Sequence, residues 1–171
     1  LNTVQKKIEY AMVHKGITAE FFVGGSFAKN TWLSKDTDID IFIRFPVEYD
    51  RISELCKLLL KGVFKKKVKT IHGSRDYFQV KYKGRILEFV PVLWINKPEK
   101  AKNITDISPL HVNYVTSMFK KRKKLADEVR ILKYFCKANQ LYGAETWISG
   151  FSGYVLELLI IKYGSFLNLL K

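Results

Sequence analysis

A short run of alternating carboxylates and β-branched residues constrains this chain more than any other feature. Residues 36 to 43 read Asp-Thr-Asp-Ile-Asp-Ile-Phe-Ile. Successive side chains of a β-strand point to opposite faces, so Asp36, Asp38 and Asp40 would share one face while the isoleucines face the core. The pattern therefore predicts a strand from Thr37 to Phe45 with carboxylates along one side.

Carboxylates two residues apart on one face repel each other, and partial burial beside a bulky side chain increases that repulsion. A bound divalent cation would remove the conflict. A solvated edge strand, on which aspartates merely block aggregation, is the alternative explanation for the same pattern.

A second strand contains an isolated acid. Glu88 lies in the middle of the predicted strand Arg85 to Leu93 and shares a face with apolar residues. A carboxylate there is costly unless it is paired or binds a metal. If the two strands are neighbours, Asp38, Asp40 and Glu88 would surround one point and suit two Mg²⁺ ions. A salt bridge from Glu88 to a lysine is the alternative.

The turn Gly24-Gly25-Ser26 precedes the aspartates, and eleven residues separate Ser26 from Asp38. Glycines let a backbone approach a ligand, and a helix that begins there would offer free N–H groups to phosphate. The pattern is not a Walker loop, because GxxxxGK[ST] is absent. An everyday turn is the alternative interpretation.

The charge of the chain indicates a polyanionic partner. The 171 residues carry a net charge of +14, with 47% hydrophobic residues. Nucleic acid is the partner that we expect, and an anionic membrane surface is the competing one. Cys56 and Cys136 lack CxxC spacing, and there is no signal peptide or apolar run long enough to span a bilayer. These observations predict a cytoplasmic protein with no membrane partner.

The order of predicted elements gives an α+β fold with a mixed sheet, in which a helical half follows an α/β half. Lys83-Gly84 is predicted to be a two-residue hairpin turn, and residues 95–108 a polar loop. Strands are predicted at 19–23, 37–45, 68–71, 77–82 and 85–93, and helices at 4–15, 27–33, 49–64, 109–123, 126–139 and 152–163.

The ordered motifs resemble those of the class I (archaeal-type) CCA-adding enzymes, which are tRNA nucleotidyltransferases of the polymerase-β-like superfamily. The segments that carry the resemblance are Gly25 to Leu33, Tyr142 to Glu145, Gly150 to Tyr154, Glu157 to Ile160 and Tyr163 to Phe166. The resemblance implies a catalytic head at 1–108 and a helical neck segment at 109–171. It also implies addition of C, C and A to the 3′ end of tRNA from CTP and ATP, without a template.

By this resemblance Asp38, Asp40 and Glu88 are the catalytic, metal-binding residues, and Mg²⁺ is the cofactor. Glu88 would also help to activate the attacking 3′-hydroxyl. The nucleotide would be bound by Gly25, Ser26, Lys29, His111, Lys133 and Tyr142. Without the resemblance, Lys29 and Lys133 would be interpreted as solvated surface lysines. Two residues depart from the family pattern, which has Asp in place of Glu88 and Arg in place of Lys29.

Two basic clusters could follow an RNA backbone. One is Lys65 to Lys67, and the other consists of Lys120, Lys121, Arg122, Lys123 and Lys124. A solvated charged face is the alternative for both.

Both ends of the chain look cut, so we expect a continuation in the same or a second polypeptide. Besides catalysis, the sequence therefore allows a non-catalytic or split-enzyme subunit that binds tRNA and needs a second polypeptide. A small nucleotidyltransferase that modifies another protein is a third hypothesis, against which the motifs from Tyr142 to Phe166 argue.

Overall fold

The computed structural model of the chain describes residues 1–34, 36, 38–143 and 148–171. These residues form two compact units: Leu1–Gly25 with Thr37–Leu110, and Ser26–Asp36 with His111–Lys171. The second unit thus includes a segment from the front of the chain, and the predicted division after residue 108 stays a prediction. The predicted strand start at Thr37 and the Ala144-Glu145 part of the Tyr142 motif lie outside the described residues.

Within the described residues the first unit contains a five-stranded sheet with the order β1-β2-β5-β4-β3. β2 and β5 pair in parallel, whereas β1 with β2, β4 with β5 and β3 with β4 pair antiparallel. The mixed sheet confirms the predicted α+β class. The strands are β1 (Glu20–Val23), β2 (Asp38–Phe45), β3 (Val68–Ile71), β4 (Tyr77–Tyr82) and β5 (Arg85–Leu93).

One face of this sheet is covered by α1 (Asn2–His14) and, after the short α2 (Gly25–Ala28), by α3 (Ile52–Phe64). The buried residues of α1 are spaced four apart, so they form one apolar stripe. They share a core with the isoleucines of β2 and with Leu87 and Phe89 of β5. The other face of β2 therefore carries Asp38 and Asp40, as the alternation predicted.

The face of β5 that carries Glu88 is only partly buried around this residue, although Val92 on the same face is fully buried. The core side of this strand is formed by Leu87 and Phe89, while Ile86, Glu88 and Val90 are only half-buried. The predicted hairpin is confirmed, because Lys83 and Gly84 have φ values of 48° and 77° between β4 and β5. Positive φ at both central residues is typical of a type I′ turn.

The predicted polar loop after β5 contains two short 3₁₀ turns, Pro98–Lys100 and Ile104–Ile107. Asp106 is fully buried, accepts a 2.8 Å hydrogen bond from the Leu93 amide and is paired with Arg75. A buried carboxylate needs such partners. Asp106 therefore fixes the path of the chain after β5, a role that composition alone did not reveal.

The second unit is helical, as predicted. Its helices are α4, which starts at the end of the first unit (Ser108–Lys121), α5 (Leu125–Ala138), α6 (Gly153–Tyr163) and α7 (Phe166–Leu170). Ser152 and Ser165 accept backbone hydrogen bonds at the first turns of α6 and α7. No helix in the described part of the chain is long and apolar enough to cross a membrane.

Candidate active site

The parallel pairing of β2 with β5 places Asp40 directly opposite Glu88, and Asp38 opposite Ile86. On the other side of β5, Gln79 of β4 is the register partner of Glu88, and its side-chain amide donates a hydrogen bond to the Glu88 carboxylate. Two of the three predicted carboxylates thus come from neighbouring strands at one level of the sheet. Among the described residues no lysine forms an ion pair with Glu88, so the alternative of a salt bridge is not supported there.

The electrostatic environment of Glu88 favours a cation. Partial burial raises the pKa of Glu88, and the negative charges of Asp40 and Asp38 raise it further, while the hydrogen bond from Gln79 opposes both. The three carboxylates therefore repel one another. Burial and the Glu88 charge also raise the pKa of Tyr77. Oxygen donors under mutual repulsion are the set that Mg²⁺ prefers, so the residues fit the predicted metal in chemistry.

The side chains are not arranged as a finished metal centre. In residues 1–34, 36, 38–143 and 148–171, no group of three or more His, Cys, Asp or Glu side chains could hold a metal ion as it stands. The assignment of Asp38, Asp40 and Glu88 as ligands stays a prediction.

The two glycines before Ser26 allow a close approach to the aspartate strand. Gly25 has a φ of 58°, and a Cβ atom there would lie 1.6 Å from Oδ2 of Asp40. The Gly24 amide donates a 2.9 Å hydrogen bond to the Asp40 carbonyl, and a Cβ on Gly24 would overlap the Phe42 ring. Gly25 therefore makes room for Asp40, and Gly24 makes room for the Phe42 ring.

The helix predicted for residues 27–33 is wrong in extent, since α2 ends at Ala28. Asn30 adopts a left-handed φ of 55°, which ends the helix. The backbone beyond it then contributes hydrogen bonds: the Asn30 carbonyl accepts one from Arg130, and the Thr31 carbonyl accepts one from Lys133. Ser26 is half-buried, and its carbonyl accepts a 2.9 Å hydrogen bond from the Thr31 amide.

Asp36 does not continue the carboxylate face of β2, because the strand begins at Asp38. Its two carboxylate oxygens instead lie 2.7 Å from the Nζ atoms of Lys133 and Lys137, and it accepts a hydrogen bond from the Leu33 amide. Burial would raise the pKa of Asp36, but these hydrogen bonds and charges lower it to about 2. The expectation that three aspartates share one face is therefore wrong for Asp36.

Two residues predicted to bind nucleotide, Lys133 and Tyr142, lie together in the second unit. Lys133 is 5% exposed, and its Nζ atom lies 5.4 Å from the centre of the Tyr142 ring. Lys137 lies 5.1 Å from the same ring. Lys133 is thus a buried, paired cation and not a solvated surface lysine.

Lys29 is held by a carboxylate that sequence reasoning gave no role. Its Nζ atom lies 2.7 Å from Oε2 of Glu157, and the Thr31 hydroxyl donates a 3.2 Å hydrogen bond to the other oxygen. Burial raises the pKa of Glu157, while the charges of Lys29 and Lys133 oppose that shift. One signal could have identified Glu157: it is the only acid in the otherwise apolar run of α6.

His111 packs near this ion pair. Its ring is stacked on Tyr154 with 3.8 Å between the ring centres. Burial lowers the pKa of His111, and the positive charge of Lys29 lowers it further, so the ring is neutral at pH 7. A neutral imidazole can donate or accept a hydrogen bond without adding charge.

The basic cluster from Lys120 to Lys124 covers the end of α4 and the turn before α5, and all five side chains are exposed. Arg122 also donates a 2.9 Å hydrogen bond to the Ile161 carbonyl, so it ties this turn to α6. RNA binding by the cluster stays a prediction.

We predict that Gly25→Ala lowers the free energy of unfolding more than Gly16→Ala does. Both glycines have φ near 60°, but a Cβ on Gly16 has no atom within 4 Å. Gly16→Ala should cost about 1 kcal/mol, from backbone strain alone. Gly25→Ala should cost about 2 kcal/mol more, because Asp40 must move. Urea denaturation measures both, and equal losses would show that Gly25 does not approach Asp40.

We also predict that Lys29→Gln raises the pKa of His111 towards its ordinary value. The substitution removes the positive charge that lowers this pKa and leaves the Glu157 carboxylate without its cation. An NMR titration of the ring signals measures the change. Lys162→Gln, at an exposed lysine of α6, is the control. An unchanged or lower pKa in the Lys29 variant would contradict the arrangement.

Comparison with known proteins places the chain in a family. A family model described as "nucleotidyltransferase domain" matches residues 6–135, and one described as "tRNA nucleotidyltransferase, second domain" matches residues 127–171. The first match covers most of the chain, and it includes all three predicted metal ligands.

Curated relatives carry the name that the motifs suggested. The chain is 45% identical to the CCA-adding enzyme of Nanoarchaeum equitans over 154 residues, which are 89% of this chain and 38% of the relative. It is 43% identical to that of Sulfurisphaera tokodaii over 161 residues, again 38% of the relative. The resemblance to CCA-adding enzymes is thereby confirmed, over little more than a third of their length.

Solved structures support the fold alone. CdnC of E. coli MS115-1 with ATP superposes with a TM-score of 0.69 at 22% identity, covering 94% of this chain and 56% of CdnC. Cid1 in complex with its short product ApU superposes with a TM-score of 0.68 at 12% identity, covering 95% and 44% of the two chains. The predicted polymerase-β-like fold is confirmed, and the chain belongs to the nucleotidyltransferase domain family.

Proposed function

We propose that this chain forms the catalytic part of an enzyme that adds C, C and A to the 3′ end of tRNA in the cytoplasm, from CTP and ATP and without a template. The observation that carries the proposal is the 45% identity to a CCA-adding enzyme over 89% of the chain. The position of Asp40 opposite Glu88 in the register of β2 and β5 supports it, and so does the net charge of +14.

In this reaction the 3′ oxygen of the tRNA forms a bond to the α-phosphorus of the nucleotide, and the bond from that phosphorus to pyrophosphate breaks. Pyrophosphate leaves, and the hydroxyl proton must be accepted by a base. Asp38, Asp40 and Glu88 would hold Mg²⁺, which when bound would neutralise negative charge on the phosphates. Their mutual repulsion makes a cation favourable at this point of the sheet.

Glu88 would have the additional role of orienting the attacking hydroxyl. Its raised pKa brings it closer to that of a group that can accept a proton near neutral pH. The hydrogen bond from Gln79 fixes one carboxylate oxygen and leaves the other to act. Glu has one methylene more than the Asp of the family pattern, and Gln79 would hold that longer side chain in one conformation.

Lys29 and Lys133 would neutralise the triphosphate. Lys133 is buried and Lys29 is mostly buried, and both are paired with carboxylates, Lys29 with Glu157 and Lys133 with Asp36. Such pairs hold the ammonium groups in position before the nucleotide binds, so little side-chain entropy is lost on binding. Lysine supplies a point charge here, in place of the bidentate contact that arginine would make.

The neutral groups would complete the nucleotide site. Gly25 would let the phosphate chain come close to the backbone, and the Ser26 hydroxyl would donate a hydrogen bond to it. His111 and Tyr142 would donate further hydrogen bonds without adding charge, since His111 is neutral at pH 7. The exposed cluster from Lys120 to Lys124 would follow the tRNA backbone.

A second proposal follows from the length of the chain compared with that of its relatives. The chain spans 38% of the Nanoarchaeum equitans relative, so groups that the reaction needs could lie outside these 171 residues. In that case the chain is a subunit that binds tRNA and acts only together with a second polypeptide. A third hypothesis, transfer of a nucleotide to a protein, has no observation in its favour.

We predict that Asp40→Ala lowers nucleotide incorporation by about 100-fold or more, because it removes a charge opposite Glu88 that only the metal-bound site needs. The assay uses tRNA without CCA, Mg²⁺ and labelled CTP or ATP. Asp50→Ala, at an exposed aspartate, removes the same charge and should leave the rate unchanged. Glu88→Asp tests the family pattern in the same assay.

The outcomes separate the proposals. Labelling of tRNA by the chain alone supports catalysis, and labelling only after a second polypeptide is added supports the subunit. Equal rates for the Asp40 variant and the wild type would overturn the assignment of the carboxylates. Labelling of protein in place of tRNA would overturn the substrate.

A further inference from the structure

A cationic groove lies on the helical side of the first unit, between α1 and α3. Its volume is about 760 Å³, and its lining includes Lys6, Lys7, Tyr10, His14, Lys15 and Gly62. The helices cover the face of the sheet that carries the β2 isoleucines, whereas Asp38 and Asp40 lie on the opposite face. The sheet therefore separates this groove from the candidate active site.

The groove carries only positive charge. Lys6, Lys7 and Lys15 are exposed, no Asp or Glu lines the groove, and none of the three has an ion pair with a carboxylate of the described residues. Lys65 to Lys67, one of the two basic clusters of the sequence, follow directly after the end of α3. Exposed ammonium groups that line one groove, without an ion pair to the described carboxylates, favour a ligand with several phosphates.

An aromatic platform lies among these lysines. Tyr10 is 65% exposed, and one face of its ring is stacked on His14 with 4.7 Å between the ring centres. The stacking orients the ring and leaves its other face to solvent. An exposed, oriented ring beside exposed lysines is the arrangement on which proteins stack unpaired bases.

Gly62 keeps the groove open. A Cβ atom at this position would lie 3.4 Å from Cε of Lys15, so the lysine stem packs over the bare backbone of α3. Glycine in the interior of an exposed helix costs about 1 kcal/mol relative to alanine, so its presence here needs a local reason. Contact with the Lys15 stem is such a reason, since a side chain larger than that of alanine would take the space of the stem.

We propose that this groove binds a single-stranded segment of RNA, with its phosphates on Lys6, Lys7 and Lys15 and one base stacked on Tyr10. A flat membrane surface does not match a concave groove, and duplex RNA offers no unpaired base to the ring. The proposal does not depend on the chemistry at Asp40 and Glu88.

The test measures binding of a fluorescent oligouridine RNA, of about 12 nucleotides, by anisotropy in EDTA without nucleotide. Replacing Lys6, Lys7 and Lys15 with Gln should weaken binding by roughly tenfold or more and lower the salt slope by about 2, as expected for three lost phosphate contacts. The control replaces Lys81, Lys83 and Lys97, which are exposed lysines of the same unit, with Gln. Both triple variants lose the same net charge, so equal losses of affinity would overturn the proposal.

Two single variants test the groove without changing its charge. Tyr10→Ala should weaken binding by about 5- to 150-fold with no change in the salt slope, because stacking is lost and phosphate contacts are kept. Gly62→Leu should fill the groove and weaken binding while the helix stays stable. Unchanged affinity in both variants would overturn the proposal.

Two further ligands identify the partner. Uridine 5′-monophosphate should bind far more weakly than the RNA, and vesicles rich in phosphatidylserine should not compete with it. Equal affinity for the mononucleotide, or efficient competition by the vesicles, would overturn the assignment to an RNA strand. The assay contains EDTA and no nucleotide, so failure of the proposed catalytic function would leave this result unaffected.

Discussion

The parallel pairing of β2 with β5 is the interaction on which the candidate active site depends. Its register sets Asp40 opposite Glu88 and places the isoleucines of β2 in the core. A shift of one residue would turn the aspartates into the core and the isoleucines to the other face, so burial of the apolar side enforces the register. The apolar core thus holds together carboxylates that would otherwise move apart.

The electrostatic repulsion between these carboxylates explains several neighbouring features. Glu88 has a raised pKa, and Gln79 offsets part of the repulsion by donating a hydrogen bond to it. Gly25 has no side chain at the point where Asp40 needs space. Each feature stabilises a cluster of negative charge that does not favour folding by itself. Such local conflicts are expected at functional sites.

In the second unit the buried charges are paired with opposite charges, whereas the carboxylates of the first unit repel one another. The side chains of Lys29 and Lys133 have little exposure to solvent, and the Nζ atom of each lies 2.7 Å from a carboxylate oxygen, of Glu157 and Asp36 respectively. Removing one partner from such a pair leaves a buried charge, which costs more than the pair contributes. The pairs therefore fix where the ammonium groups lie.

Much of the fold could be predicted from the sequence, because it rests on local patterns. The alternation in β2, the Lys83-Gly84 turn and the helical apolar spacing of α3 each indicate one structure. The parts that failed depend on residues distant in sequence. The early end of α2 is a local exception, set by the left-handed conformation of Asn30, whereas Asp36 left the strand because Lys133 and Lys137 bind it. Glu157, 128 residues from Lys29, was missed for the same reason.

The carboxylate site of β2 and β5 is tested most directly by mapping where a divalent cation binds to the protein. Mn²⁺ added at substoichiometric amounts to isotope-labelled protein should broaden the amide signals of residues 39–41 and 87–89 first, because carboxylates from β2 and β5 would hold it. Asp40→Asn should remove this selective broadening, and signals of α1 should change little in either protein. Broadening that begins elsewhere, or that is unchanged in the Asp40 variant, would contradict the claim that the β2–β5 register builds the active site.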